Sequence, residues 1–192
     1  MRIGMVAEDA NDIQSIQSLL LKNFKTIQFK RLLRSLNGTK MLSEKARRAI
    51  RAELNSSGCS WIIFIMDLDG LPSHANRIAI KKRQFDTLNA LCGGNNLLLL
   101  NIWELEALIF ADIDTFNQKY GTKIKGNRNP MSIAHPKEEL ISSTYKSKRR
   151  FAVSDCPEIF AALDYARVES NCHFFKDFVN VLDEKVNPRK KK

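Results

Sequence analysis

Two aspartates, Asp67 and Asp69, end the apolar run Trp61-Ile62-Ile63-Phe64-Ile65-Met66 and are separated only by Leu68. Side chains alternate along an extended chain, so this spacing sends both carboxylates to one side, and Gly70 lets the backbone turn sharply away. Two carboxylates held that close repel one another unless a cation sits between them, which makes the strand end a candidate Mg²⁺ site. The same Asp-Leu-Asp-Gly string also suits an ordinary polar turn after a buried strand.

Other acids follow other apolar runs. Glu8 comes just after Ile3-Gly4-Met5-Val6-Ala7, and Glu104 and Glu106 follow Leu97-Leu98-Leu99-Leu100. Between these strand-like runs the apolar period becomes helical. Ile13, Ile16, Leu20 and Phe24 mark one helix, a basic helix is expected near Ser43–Leu54, and Ile78, Phe85, Leu88 and Leu91 mark another, closed by Gly93-Gly94. A further short strand is expected near Ile27–Leu33, with a turn at Asn37-Gly38. This alternation predicts an α/β fold: a central, mainly parallel sheet of about four strands, flanked by helices and covered on both faces. Such sheets bind ligands beyond the carboxyl ends of their strands. Neighbouring strands lie roughly 4.8 Å apart, so carboxylates on adjacent ends can share one hydrated divalent cation.

The remainder reads as a helical C-terminal part. An apolar helix is expected over residues 101–112, with Asp112 as the possible cap of the helix that follows. A Gly-, Asn-, Lys- and Pro-rich loop spans residues 119–135, and Pro136 opens a helix through Leu140. Asp155-Cys156-Pro157-Glu158 has the form of a capping box, and Phe174, Phe175, Phe178, Val179 and Leu182 give a last amphipathic helix. The expected organisation is a core over residues 1–118, a loop and helical extension packed on it over 119–186, and a basic tail from 187 to 192.

The 192 residues, 44% of them hydrophobic, suffice for one sizeable core. No apolar run approaches the roughly 18 residues that cross a bilayer, and Met1-Arg2-Ile3 opens a strand rather than a signal peptide, so a cytoplasmic protein is expected. The four cysteines are scattered without a Cys-x-x-Cys pair, which points to reduced, mostly buried thiols. A formal charge of +10 favours polyanionic partners, nucleic acid first. Lys81, Lys82, Arg83, Lys146, Lys148, Arg149 and Arg150 are the clustered cations expected to hold phosphates outside a catalytic pocket.

A glutamate ending the first strand, with Asp-x-Asp ending a later one, resembles the TOPRIM fold of topoisomerases, primases and OLD-family nucleases. The likeness is closest to small stand-alone TOPRIM-like proteins encoded beside an ABC-type ATPase, many associated with anti-phage defence. In those proteins a Glu-Ala-Trp-Leu-Leu-Ala-Asp helix follows the fourth strand, and Glu106-Ala107-Leu108-Ile109-Phe110-Ala111-Asp112 is similar to it. Pro136-Lys137-Glu138, Tyr145-Lys146-Ser147-Lys148 and Cys172-His173-Phe174 resemble later family segments. Two departures are Asp9 where the family places Gly after the first glutamate, and Leu108 where it has Trp. The resemblance implies a nuclease in which Glu8, Asp67 and Asp69 coordinate Mg²⁺ or Mn²⁺, Glu106 helps to hold a second ion, with Asp9 and Glu104 as its substitutes, and Lys137 faces the phosphate. It also implies an ATPase partner and leaves a homo-oligomer possible.

Two other readings stay open. Asp-Leu-Asp-Gly is similar to the nucleophile motif of haloacid dehalogenase phosphatases, although that family sets it on the first strand. A non-catalytic subunit could instead use the sheet edge or the Phe174–Leu182 face to dock on an ATPase. His135, preceding Pro136, is an outside candidate for acid or base work.

Overall fold

The computed structural model describes residues 1–33, 43–126 and 128–188. The turn expected at Asn37-Gly38 and the tail residues Arg189–Lys192 lie outside the described residues. Along the chain, β1 (Arg2–Val6) precedes α1 (Ala10–Leu20), β2 (Gln28–Arg31) precedes α2 (Glu44–Ser57), β3 (Ile62–Asp67) precedes α3 (Ala75–Leu91), and β4 (Leu97–Asn101) follows. The four strands pair only in parallel, in the order β2-β1-β3-β4, with Gly4 beside Ile62 and Ile63 beside Leu97. The α/β expectation is met. The chain runs outward from β1 to β2 on one side and resumes with β3 on the other, so the switch in strand order falls between β1 and β3.

Alternation along the two central strands divides the core between the faces of the sheet. Ile3, Met5, Ile63 and Ile65 join the core that contains Ile16 and Leu20 of α1. Val6, Ile62, Phe64 and Met66 join a second core with Ile50 of α2 and Leu88 of α3. Gly4 belongs to this register for a steric reason: a Cβ there would lie 2.6 Å from Leu32 Cδ1. At about 25 cal/mol per Å² of apolar surface removed from water, these two layers supply the main driving force for the sheet.

The second half adds to the first of these cores. The 3₁₀ helix Leu105–Asp112, α4 (Ile113–Tyr120), α5 (Pro136–Ser143), α6 (Cys156–Ala162), α7 (Tyr165–Asn171) and α8 (His173–Val186) contribute Phe110, Phe116, Leu140, Phe160, Val168, Phe175 and Leu182 to it. Two local expectations need correction, and the helix marked by Ile78, Phe85, Leu88 and Leu91 forms as expected. Residues 101–104 do not begin a helix, and 105–112 form a 3₁₀ helix whose every residue is buried, so packing from all sides outweighs an amphipathic stripe. Asp155 does not cap α6, because its carboxylate accepts from Tyr120 Oη at 2.7 Å, from Arg149 at 3.0 Å and from the Ala152 amide at 3.1 Å. In α3 only Leu88 is fully buried, since β4 is an edge strand and leaves Ile78, Phe85 and Leu91 half-covered.

Candidate active site at the strand ends

Strand β3 ends on Asp67, and the alternation that sends Ile63 and Ile65 toward α1 sends Asp67 the same way. Its carboxylate accepts a 2.9 Å hydrogen bond from Asn101 Nδ2 at the matching end of β4, where Asp67 and Asn101 are register partners. Burial drives its pKa well up. The Asn101 bond opposes that rise, while Asp12, Glu106 and Asp69 add to it by repulsion.

Asp69 departs from the simple alternation. It has φ +55°, so the left-handed turn occurs at Asp69 itself and not at Gly70. Gly70 is needed for room, because a Cβ there would meet His74 Nδ1 at 2.7 Å. The turn is fixed against the β4 end: the Leu68 amide donates to the Asn101 carbonyl, the Asp69 amide to the Trp103 carbonyl at 2.9 Å, and the Trp103 amide to the Gly70 carbonyl. Trp103 is also left-handed, as is His135, whose ring lies 4.8 Å from that of Trp103. Three left-handed non-glycine residues around one rim are backbone strain of the kind that collects at functional sites. Asp69 remains 65% exposed in its side chain and pairs with Lys81 at 3.3 Å, while the Arg77 guanidinium donates to its carbonyl.

Glu8 lies past the end of β1, across the switch point from these aspartates. Desolvation raises its pKa, with Lys81 lowering it and Asp69 raising it. Asp9, offered by sequence as a substitute ligand, instead caps α1, accepting from the Asn11 amide at 2.7 Å. Glu106, 5% exposed, also has a raised pKa, first from burial and then from the neighbouring Glu104, with Cys156 Sγ 3.8 Å from its Oε1. Glu104 is occupied by Lys137 at 2.6 Å, so Lys137 arrives already neutralised and its pKa is raised by that bond. His135 is exposed, its ring tilted by 50° against that of Trp103.

The residue that sequence reasoning missed is Asp12. In the first turn of α1 its carboxylate accepts from the Asp9 amide at 3.4 Å, completing a capping box. Burial pushes its pKa up to about 7, reinforced by Asp9, Glu106 and Glu8. The available signal was its place three residues after Asp9, the spacing of a capping box at the start of α1, which sits just past the end of β1. Asn101, the other unforeseen member, is 5% exposed and leaves its Oδ1 without a hydrogen bond among the described residues.

Five carboxyl groups from β1, α1, β3 and the 3₁₀ helix therefore influence one another across the switch point: Glu8, Asp12, Asp67, Asp69 and Glu106. Among the described residues no three Asp, Glu, His or Cys side chains already ring one point. The donor set still fits a hard cation, being all carboxylate oxygen beside the Asn101 amide oxygen, with mutual repulsion that a cation would relieve.

The expected phosphate-holding cations divide into separate places. Lys81 turns to Asp69, Lys82 borders the groove beside β4, and Arg83 is exposed elsewhere on α3, as successive helical positions must diverge. Lys146, Lys148 and Arg149 line one cleft with Lys119 and Lys123, and Arg150 lies over the Tyr145 ring.

A family model described as a domain of unknown function (DUF4276) matches residues 8–183. The chain belongs to the DUF4276 family. The DUF4276 match starts at Glu8 and so takes in all five acids of the rim. No curated protein and no solved structure matches this DUF4276 chain. Among the described residues, no helix is long and apolar enough to cross a membrane.

Proposed function

We propose that this DUF4276 protein is a Mg²⁺- or Mn²⁺-dependent nuclease that hydrolyses phosphodiester bonds. The observation that carries this reading is the coupling of Glu8, Asp12, Asp67, Asp69 and Glu106 at the switch point, each of the three most enclosed acids with a raised pKa. Acids raised in this way gain most from a divalent ion, which replaces the missing hydration and favours the ionised form.

Glu8, Asp67 and Asp69 would hold the first ion and Glu106 a second, as the TOPRIM resemblance also implies. A bound metal supplies Lewis acidity at the phosphate and a water acidic enough to attack near neutral pH. Asn101 keeps Asp67 oriented. Asp12, with a pKa of about 7, is suited to take a proton from the attacking water. Lys81, 18% exposed, offsets part of the negative charge at the outer side of the rim until substrate arrives. The same resemblance supplies the setting, an effector acting with an ABC-type ATPase in defence against phage.

The deciding experiment incubates purified protein with labelled single-stranded and duplex DNA and RNA. Cleavage is expected with Mg²⁺ or Mn²⁺, and is expected to vanish in EDTA and in Asp67→Asn and Glu8→Gln. Cleavage that survives EDTA, or an absence of both cleavage and Mg²⁺ binding by calorimetry, overturns the proposal.

A second reading is favoured by the groove beside β4. About 530 Å³ in volume, it is lined by Phe85, Leu97, Leu98, Phe174, Phe178 and Val181 among others, next to the open edge of the sheet. The protein would then be a docking subunit for the ATPase, and the ATPase would bind equally well to wild type and to Asp67→Asn. Loss of that binding on Val181→Asp, with no nuclease activity in the complex, would select this reading.

A further inference from the structure

Away from the acidic rim, a cleft of about 760 Å³ opens between the C-terminal end of α4 and the turn that follows α5. Five cations line it: Lys119, Lys123, Lys146, Lys148 and Arg149. Glu158 and Asp155 pair with Lys119 and Arg149, and among the described residues Lys123, Lys146 and Lys148 have no ion-pair partner. Three uncompensated ammonium groups around one concavity form an electrostatic trap for phosphates.

The loops that carry these lysines are braced. Asn117 accepts from Thr122 Oγ1 and the Ile124 amide and donates to the Ile124 carbonyl, all at 2.7 to 2.9 Å, so the turn at Gly121 (φ +67°) is held. On the other wall buried Thr144 accepts from the Phe151 amide at 2.9 Å and receives the Ser147 amide at its carbonyl. Lysines on fixed loops lose less freedom when they bind an anion. Outside the cleft lining but next to Lys146 in the chain, Tyr145 is 66% exposed, with the Arg150 guanidinium 4.6 Å from its ring centre. An exposed aromatic ring backed by a cation is a stacking platform for an unpaired base.

Asp155, which binds Arg149 and Tyr120, is followed by Cys156, whose buried sulfur contacts Glu106, so the start of α6 links the Arg149 wall of the cleft to the acidic rim through the interior.

We infer that this cleft binds single-stranded nucleic acid, with backbone phosphates held by Lys123, Lys146 and Lys148 and one base stacked on Tyr145. The inference stands apart from the nuclease reading, and its test needs no catalysis.

Binding of a fluorescein-labelled 12-nucleotide single strand and of the corresponding duplex is measured by anisotropy in EDTA with the full chain. The single strand should bind more tightly. Tyr145→Ala should weaken it about tenfold, and the Lys123→Glu/Lys148→Glu pair should weaken it further and flatten the salt dependence by about 0.7 per lost phosphate contact. Lys25→Glu, exposed between α1 and β2 and outside the lining of the cleft, should leave it unchanged. Circular dichroism melting of each variant separates lost binding from lost folding. Equal affinity for duplex, an unaltered Tyr145→Ala variant, or competition by ATP and tripolyphosphate at concentrations far below those of the oligonucleotide would overturn the assignment. Failure of Mg²⁺-dependent cleavage with this binding intact would sink the nuclease reading alone.

Discussion

Asn101 Nδ2 donates to Asp67 Oδ1 at 2.9 Å, joining the ends of β4 and β3 at the point where both strands stop. That bond draws the Asp67 pKa down against burial and three acidic neighbours. Outer-sphere partners of this kind set how readily a carboxylate ionises for a metal.

Asn101→Leu should therefore raise the Asp67 pKa further and weaken Mg²⁺ affinity at pH 7 by roughly 10- to 100-fold, with most of the loss recovered at pH 9. Asn101→Asp places another acid against Asp67 and should lower the metal-free melting temperature, the loss shrinking as Mg²⁺ is added. Isothermal titration across pH and thermal melts check both. Unchanged affinity in Asn101→Leu would show that Asp67 is not a ligand.

Asp12 gives the fold a pH dependence of definite sign. Its folded pKa of about 7 lies above the ordinary aspartate value, so the folded state favours the protonated form. That contribution is complete below about pH 4, the unfolded value, and is lost as pH rises through about 7. Asp12→Asn keeps an acceptor for the Asp9 amide and removes the charge, so at pH 8 without metal it should be more stable than wild type by about 1–2 kcal/mol, or ~3–6 °C in melting temperature. The difference should vanish at pH 4. A destabilised variant at pH 8 would assign Asp12 a structural charge.

Asp69 calls for a particular pair of variants. Because its φ is +55°, Asp69→Ala removes the charge and adds the left-handed penalty, about 1 kcal/mol, whereas Asp69→Asn tolerates that conformation. Both should lose cleavage, but only the alanine variant should melt earlier. Equal melting temperatures would place the turn elsewhere.

The Lys137–Glu104 pair should behave as a unit. Glu104 Oε2 has no hydrogen bond among the described residues, so Lys137→Ala strands a half-buried carboxylate. A cost of about 1–3 kcal/mol is expected, and Glu104→Gln in the same chain should restore much of it. A double-mutant cycle from urea melts reads the coupling. Additive losses would mean that the pair contributes nothing beyond its two members.

The elements themselves were legible in the chain. Trp61–Met66 and Ile3–Ala7 have strand-type composition, Ser43 and Asp9 stand where helices begin, and Glu8, Asp67 and Glu106 follow apolar runs that become β1, β3 and β4. Such signals survive because period, capping and propensity act within one or two turns of backbone.

What only the tertiary structure decided is which of these ends meet and what they do to one another. The order β2-β1-β3-β4 is a matter of long-range pairing, and it alone sets Glu8 across from Asp69 and brings Asp12 and Glu106 against Asp67. The left-handed turn at Asp69 is fixed by hydrogen bonds to the β4 end, where its amide donates to the carbonyl of Trp103, 34 residues on. The division of the cations, with Lys81 drawn to the acids and Lys123 joined to Lys148 across a cleft, follows from helix direction and loop bracing. Charge and burial act through space, so a one-dimensional pattern names the candidate groups while the packed fold sets their ionisation and company.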